Sequence, residues 1–339
     1  MNVVSDHSPK TTVKTVFKRI NTGLGPFLVV IGISLFFAIT TRAFLTVSNF
    51  LSLGHSASLY VLMAMGLSCV LISGGTDLSA GSVVGLCGVI CALMMRDFNI
   101  PVIPSIVIAL LCGTLCGLIN GTLVTRLGLV PFIATLGTQW VYRGACNLLG
   151  SGSAVSVREA ANPAYADQFY KLGGGRLFGV PVPIYIFILC GIILTFLLKK
   201  TVFGRDLYAT GSNAEAARLS GINIVKTRLI AYMICDTMAA LAGIVLAARL
   251  VSGQTSSGMN YEFEGIFAAV IGGVSLSGGE GTILGAVIGA FVVAILRNGM
   301  NLNGVSSFWQ QVILGVLIIA AVYIDARRVR MQRQKKVAS

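Results

Sequence analysis

Charge is what this sequence has least of. Only 11% of its 339 residues are Asp, Glu, Lys or Arg, and just 12 residues are acidic. A soluble domain carries about 25% charged residues, so a water-facing globule is excluded. Histidine is scarcer still: His7 and His55 are the only two. Neither forms a metal pair with a cysteine, and no Ser-His-Asp set can be assembled. No GxxxxGK[ST] loop occurs, which excludes nucleotide binding by that route. The chain therefore reads as a non-enzyme, with no catalytic set, no metal and no cofactor. A cleavable leader is also missing: Lys10, Lys14, Lys18 and Arg19 precede a full-length apolar run rather than a short one with a cleavage site.

What is abundant is apolar. Hydrophobic residues make up 55% of the chain, and there are 40 glycines. Apolar runs of about 20 residues recur, the length that crosses a bilayer as helix. The expected fold class is all-α, a polytopic membrane protein of about ten transmembrane helices. The spans fall near 24–44, 56–74, 82–95, 104–120, 131–149, 184–198, 229–248, 264–273, 282–297 and 308–324. The eight cysteines lie in or near these spans and read as small packing residues. The pI near 9.6 raises nucleic acid as a partner, but the basic residues flank spans, so orientation in the lipid bilayer explains them better. With the amino terminus inside, 17 of the 25 Lys and Arg fall in inner segments and eight in outer ones. Ten spans then put both termini and the loop around 203–222 in the cytoplasm.

Two stretches echo one another. Gly74-Gly75-Thr76-Asp77-Leu78-Ser79-Ala80-Gly81-Ser82 resembles the run from Gly272 to Thr282, and each leads into a glycine-spaced helix (Gly81, Gly85, Gly88; Gly281, Gly285, Gly289). Both follow an outward-to-inward span, so the partial internal repeat would be parallel. Broken backbone at membrane depth survives only when buried in protein or lining a water-filled path. Helix packing through small residues accounts for the same spacing, and the two readings are compatible. Candidates for lining a path are Asp77 and Ser79 in the first loop, Ser275 in the second, Gln139 and Arg143 on the fifth span, and Glu262 before the eighth. Aromatic faces and amides along the fifth span, where Trp140 and Asn147 also lie, suit polyols, although Trp and Tyr mark membrane interfaces too. Asp236 lies within the seventh span, where an ionised carboxylate costs a few kcal/mol. It is expected to pair with Arg249 or a backbone N–H, or to sit protonated. No span holds an Asp/Glu/His chain of the kind a proton relay needs.

Between the sixth and seventh spans, residues 203–222 are both ordered and polar. Ser212-Asn213-Ala214-Glu215 fits a capping box, with Ser212 as the cap and Glu215 reaching back. Ala216, Ala217 and Arg218 favour helix, and Gly221 is a natural left-handed stop. The expectation is a rigid helix of about two turns. An unpartnered ordered loop is the plainer reading; a surface that another protein pushes on is the sharper one.

Several segments together are similar to a known family. They are Gly75–Gly81; Leu118-Ile119-Asn120-Gly121; Val130–Gly137 with Arg143-Gly144; Phe203-Gly204-Arg205 with Tyr208-Ala209, Gly211, Asn213, Ala216-Ala217 and Ser220-Gly221-Ile222; Ala247-Ala248-Arg249 with Ser252-Gly253-Gln254; and Gly272–Leu276 with Gly278-Gly279 and Gly281. They resemble, in order and along nearly the whole chain, the membrane permeases of bacterial monosaccharide ABC importers, the ribose/galactose/arabinose/xylose group, with the ribose type nearest overall. The resemblance implies a transmembrane permease domain over 24–324 in the bacterial inner membrane, between a cytoplasmic basic segment 1–23 and a cytoplasmic basic tail 325–339. It implies a second permease copy, a cytoplasmic ABC ATPase subunit and a periplasmic sugar-binding protein as partners. The segment with Ser212, Asn213, Glu215, Ala216, Ala217, Arg218 and Gly221 would be the coupling helix docked on the ATPase. Loop 151–183 and the stretch 251–264 would meet the binding protein. Two departures bear on the path and the sugar: Cys235-Asp236 stands where relatives usually show a Ser-Gly-like pair, and Glu262–Ile266 where they read roughly Glu-Leu-Asp-Ala-Ile. The alternative to an ATP-driven importer is an ion-coupled secondary sugar carrier.

Overall fold

An apolar chain in lipid must satisfy its backbone N–H and C=O groups within itself, which leaves helices as the economical solution. A computed structural model describes residues 26–337; the basic segment 1–23 lies outside them. The helices are α1 (Pro26–Thr40), α2 (Val47–Ile72), α3 (Ala80–Arg96), α4 (Val102–Thr125), α5 (Pro131–Leu149), α6 (Ala164–Gly173), α7 (Val182–Lys200), α8 (Val202–Ser212), α9 (Ala214–Leu219), α10 (Ile224–Leu250), α11 (Tyr261–Ile271), α12 (Ile283–Leu302) and α13 (Ser307–Val337). Of these, α2, α4, α7, α10 and α12 are long and apolar enough to cross a membrane. The chain is a polytopic helical membrane protein.

Helix α2 runs through the middle, with Ala57 to Ile72 buried except Tyr60. Glycine lets its neighbours approach closely. Gly113, Gly117 and Gly121 form a stripe on α4, and a methyl group at Gly117 would overlap the Tyr232 carbonyl of α10. Such small-residue stripes bring backbones together where lipid supplies no hydrophobic drive. Gly285 and Gly289 of α12 press in the same way on Gly272 and Ala268 at the end of α11.

The connections gather at two ends. At one end, Val155 and Ser156 (β1) pair antiparallel with Ser252 and Gly253 (β4). A hairpin of β2 (Arg176–Leu177) and β3 (Val180–Pro181) and helix α6, anchored by fully buried Phe169, complete that end. The stretch 151–183 expected as loop thus contains a helix. At the opposite end lie α8, α9 and the two glycine loops.

Residues 203–222 differ from the expected capping box. There are two helices, and Ser212 is the last residue of α8 rather than a cap. Asn213 is the cap: its backbone is extended (φ −159°, ψ 101°) and its Oδ1 accepts from the Ala216 N–H at 3.0 Å. Glu215 has no cap N–H to reach, because the Asn213 N–H already donates to Ala209 O at 3.1 Å. Glu215 pairs instead with Arg218 at 2.6 Å. The stop at Gly221 is as expected: φ is +84°, Gly221 N donates to Arg218 O and Ile222 N to Ala217 O, a complete Schellman motif.

Candidate functional site

The first cluster sits where the glycine stripe of α4 draws Asn120 against α10. Asp77, Ser79, Asn120 and Asp236 are all fully buried. Asp77 Oδ1 accepts from the Ser79 N–H at 2.9 Å and the Ser79 hydroxyl at 2.8 Å. Asn120 Nδ2 donates to Ser79 Oγ at 2.7 Å and Asp236 Oδ2 at 2.9 Å, and lies 3.4 Å from Asp77 Oδ2. Thr138 of α5 fixes the amide orientation by donating to Asn120 Oδ1 at 2.7 Å. Thr135 Oγ1 receives the Leu78 N–H at 3.1 Å. One amide therefore ties the first glycine loop to α4, α5 and α10. Asp236 pairs with Asn120, and with neither Arg249 nor a backbone N–H; its Oδ1 has no hydrogen-bond partner. Ligand atoms of Asp77, Cys235 and Asp236 lie within 4.8 Å of one another, but the Asn120 amide, a donor, reaches into the same space.

The second cluster lies further along α5. Gln139 Nε2 donates to Glu262 Oε1 at 3.0 Å. Arg143 donates to Thr255 O at 2.7 Å, Ser257 O at 2.8 Å and Gly81 O at 3.2 Å. A guanidinium presents five donors in a fixed fork, so Arg143 clamps the start of α3 to the segment before α11. Gly81 leaves room for this: a methyl group there would overlap the Glu262 carboxylate. Glu264, two residues on, forms a short ion pair with Arg297 of α12.

A third arrangement joins the polar arm to both glycine loops. Each loop leaves its helix identically. Ser73 and Gly272 cap α2 and α11; Gly74 and Gly273 follow at φ +79° and +90°. Gly75 N then returns to Val70 O, and Val274 N to Ala269 O. Gly279 N donates to Ile72 O at 2.9 Å, and Tyr208 of α8 donates to Gly281 O at 2.8 Å. Gly211 fits between: a methyl group on it would overlap the Ile72 carbonyl and stand 2.5 Å from Gly279 N. Arg228, at the start of α10, reaches Ser73 O at 3.3 Å.

Residues 48–322 match the family described as branched-chain amino acid transport system / permease component. The chain belongs to this family. It is 38% identical over 305 residues to the ribose import permease protein RbsC of Bacillus subtilis, covering 90% of this chain and 93% of that one. It is 36% identical over 300 residues to the L-arabinose transport system permease protein AraH of Escherichia coli, covering 87% and 88%. To the D-allose transport system permease protein AlsC of Escherichia coli it is 34% identical over 299 residues, covering 88% and 90%. No solved structure matches it.

In this permease the six residues expected to line a path fall into three groups. Asp77 and Ser79 meet at Asn120. Gln139, Arg143 and Glu262 gather at the second cluster. Ser275 stands apart in the second glycine loop, where its N–H donates to Glu280 O at 3.0 Å. Of the arm residues, Ala217 is buried while Ser212, Asn213, Glu215, Ala216, Arg218 and Gly221 are exposed. Leu219 beside them is 78% exposed. Asn120, Thr135 and Thr138 escaped sequence reasoning as site residues. The available signal was a lone amide or hydroxyl on an otherwise apolar helix.

Proposed function

We propose that the chain is the membrane-spanning permease of an ATP-driven importer for a monosaccharide, ribose-like or a hexose, working with a second permease copy, a cytoplasmic ATPase and a periplasmic sugar-binding protein. It spans the inner membrane ten times, with both termini and the α8–α9 arm inside. The two glycine loops are the broken segments of a parallel repeat. The relatives named for ribose, arabinose and allose transport support a sugar as cargo. The ion-coupled carrier has no comparable support.

One observation carries the reading. Helix α9 is stopped firmly at both ends yet presents Glu215, Ala216, Arg218 and Leu219 outward, and Gly211, near the end of the adjoining α8, abuts both glycine loops. A push on α9 is delivered to the ends of α2 and α11, and from Asp77 through Asn120 to α4, α5 and α10. That is how hydrolysis on a separate subunit reaches the path.

The test exchanges Glu215→Lys and Arg218→Glu together. The pair still forms, so the helix survives, while the face shown to the ATPase is reversed. Expected is a chain that reaches the membrane normally but no longer couples hydrolysis to uptake in proteoliposomes holding ATPase and binding protein. Normal uptake with normally stimulated hydrolysis would remove α9 from the docking role.

A further inference from the structure

The outward face of α7 carries a groove that the transport path does not use. Its volume is about 460 Å³, and it runs between α7 and the start of α12. Ile188, Ile192 and Phe196 line it from α7, and Leu284 from α12. These four are 47%, 63%, 63% and 63% exposed, so among the described residues nothing covers them. Gly191 lies midway along the same wall. The groove closes at one end on Lys199 and Lys200, both exposed. No carboxylate of the described residues forms a salt bridge with either lysine.

We propose that this groove binds one anionic glycerophospholipid, its acyl chain along α7 and its phosphate on Lys199 and Lys200. A wall that is apolar apart from Thr195 suits hydrocarbon, and two adjacent ammonium groups suit a phosphate. Basic pockets between spans on the cytoplasmic side are where acidic headgroups collect. A second protein copy is less well matched, because it would have to bury both ammonium groups against an acidic surface of its own.

The position gives the lipid a consequence. Lys200 is followed at once by Thr201, whose hydroxyl caps α8 by accepting from Gly204 N at 3.4 Å. A bound phosphate therefore sits at the root of the α8–α9 arm and steadies it. This consequence rests on the proposed coupling role of the arm; the binding itself does not.

Native mass spectrometry of the full-length chain in detergent, titrated with phosphatidylglycerol or phosphatidylcholine of equal chain length, reads binding directly. Expected is one tightly held phosphatidylglycerol per chain, preferred about thirtyfold, since each basic residue near a headgroup contributes about fivefold. Lys199→Gln with Lys200→Gln abolishes the preference. Ile192→Trp, an exposed position, fills the groove and expels either lipid. The Glu215→Lys/Arg218→Glu chain binds as the native one does, so loss of coupling and loss of lipid are separable. Equal binding of the two lipids, a preference that survives removal of both lysines, or a dimer that Ile192→Trp dissociates while lipid binding is unchanged would each overturn the proposal.

Discussion

Gly211→Ala tests whether the arm and the two glycine loops are one mechanical unit. A methyl group at residue 211 overlaps the Ile72 carbonyl oxygen, lies 2.5 Å from Gly279 N and 2.9 Å from the Ile72 carbonyl carbon. All three neighbours are backbone, so no side chain can swing away. The methyl wedges into the 2.9 Å hydrogen bond from Gly279 N to Ile72 O. Overpacking costs about 1–3 kcal/mol, and losing that bond adds roughly 1 kcal/mol. The expected destabilisation is therefore on the order of 2–4 kcal/mol, a large part of a folded chain's margin of about 5–15 kcal/mol. All eight cysteines are free and six are buried, so a thiol-reactive fluorophore reports unfolding in detergent as temperature rises. Gly144→Ala is the control, because nothing lies within 4 Å of its added methyl. Gly211→Ala should unfold well below both the control and the native chain. If it unfolds with them and imports sugar at the native rate, the three segments do not press on one another and the proposed transmission fails.

Asn213→Ala should cost about 1 kcal/mol through the lost cap of α9, while Ser212→Ala should leave the helix nearly unchanged; amide hydrogen exchange over 214–219 separates the two. Asn120→Leu removes the amide between Asp236, Ser79 and Asp77, leaving buried acceptors without their donor. A loss of about 2–4 kcal/mol should appear as a lower unfolding temperature, with Asn120→Asp, which adds a third carboxyl, at least as damaging. Arg297→Met strands Glu264, which is only 5% exposed, and should cost about 3 kcal/mol; adding Glu264→Leu should restore most of it, a coupling that a double-mutant cycle reads.

Helices were legible because their cause is local. A run such as Val102–Thr125 is 24 residues long and mostly apolar, with no charged residue, so composition and length suffice. The Gly221 stop was equally local, since a left-handed residue closing a helix favours glycine. The cap was misassigned by one residue for a reason the sequence does not contain. Two polar residues, Ser212 and Asn213, stand side by side, and α8 runs through Ser212 because Tyr208 and Gly211 are held against the second glycine loop.

The polar clusters show the same division. Sequence alone marked Asp77, Asp236, Gln139 and Glu262 as unusual, because a carboxyl or amide in an apolar setting demands a partner wherever it lies. It did not name the partners. Asn120 meets Asp236 only because Gly113 and Gly117 let α4 close upon α10, and Arg143 joins Gly81 to the segment before α11 only because both come within reach of one guanidinium. Composition and periodicity therefore determined that the chain is a helical membrane protein with interrupted segments. Tertiary structure decided which interruptions touch, since contact between residues far apart in sequence depends on how closely whole helices approach.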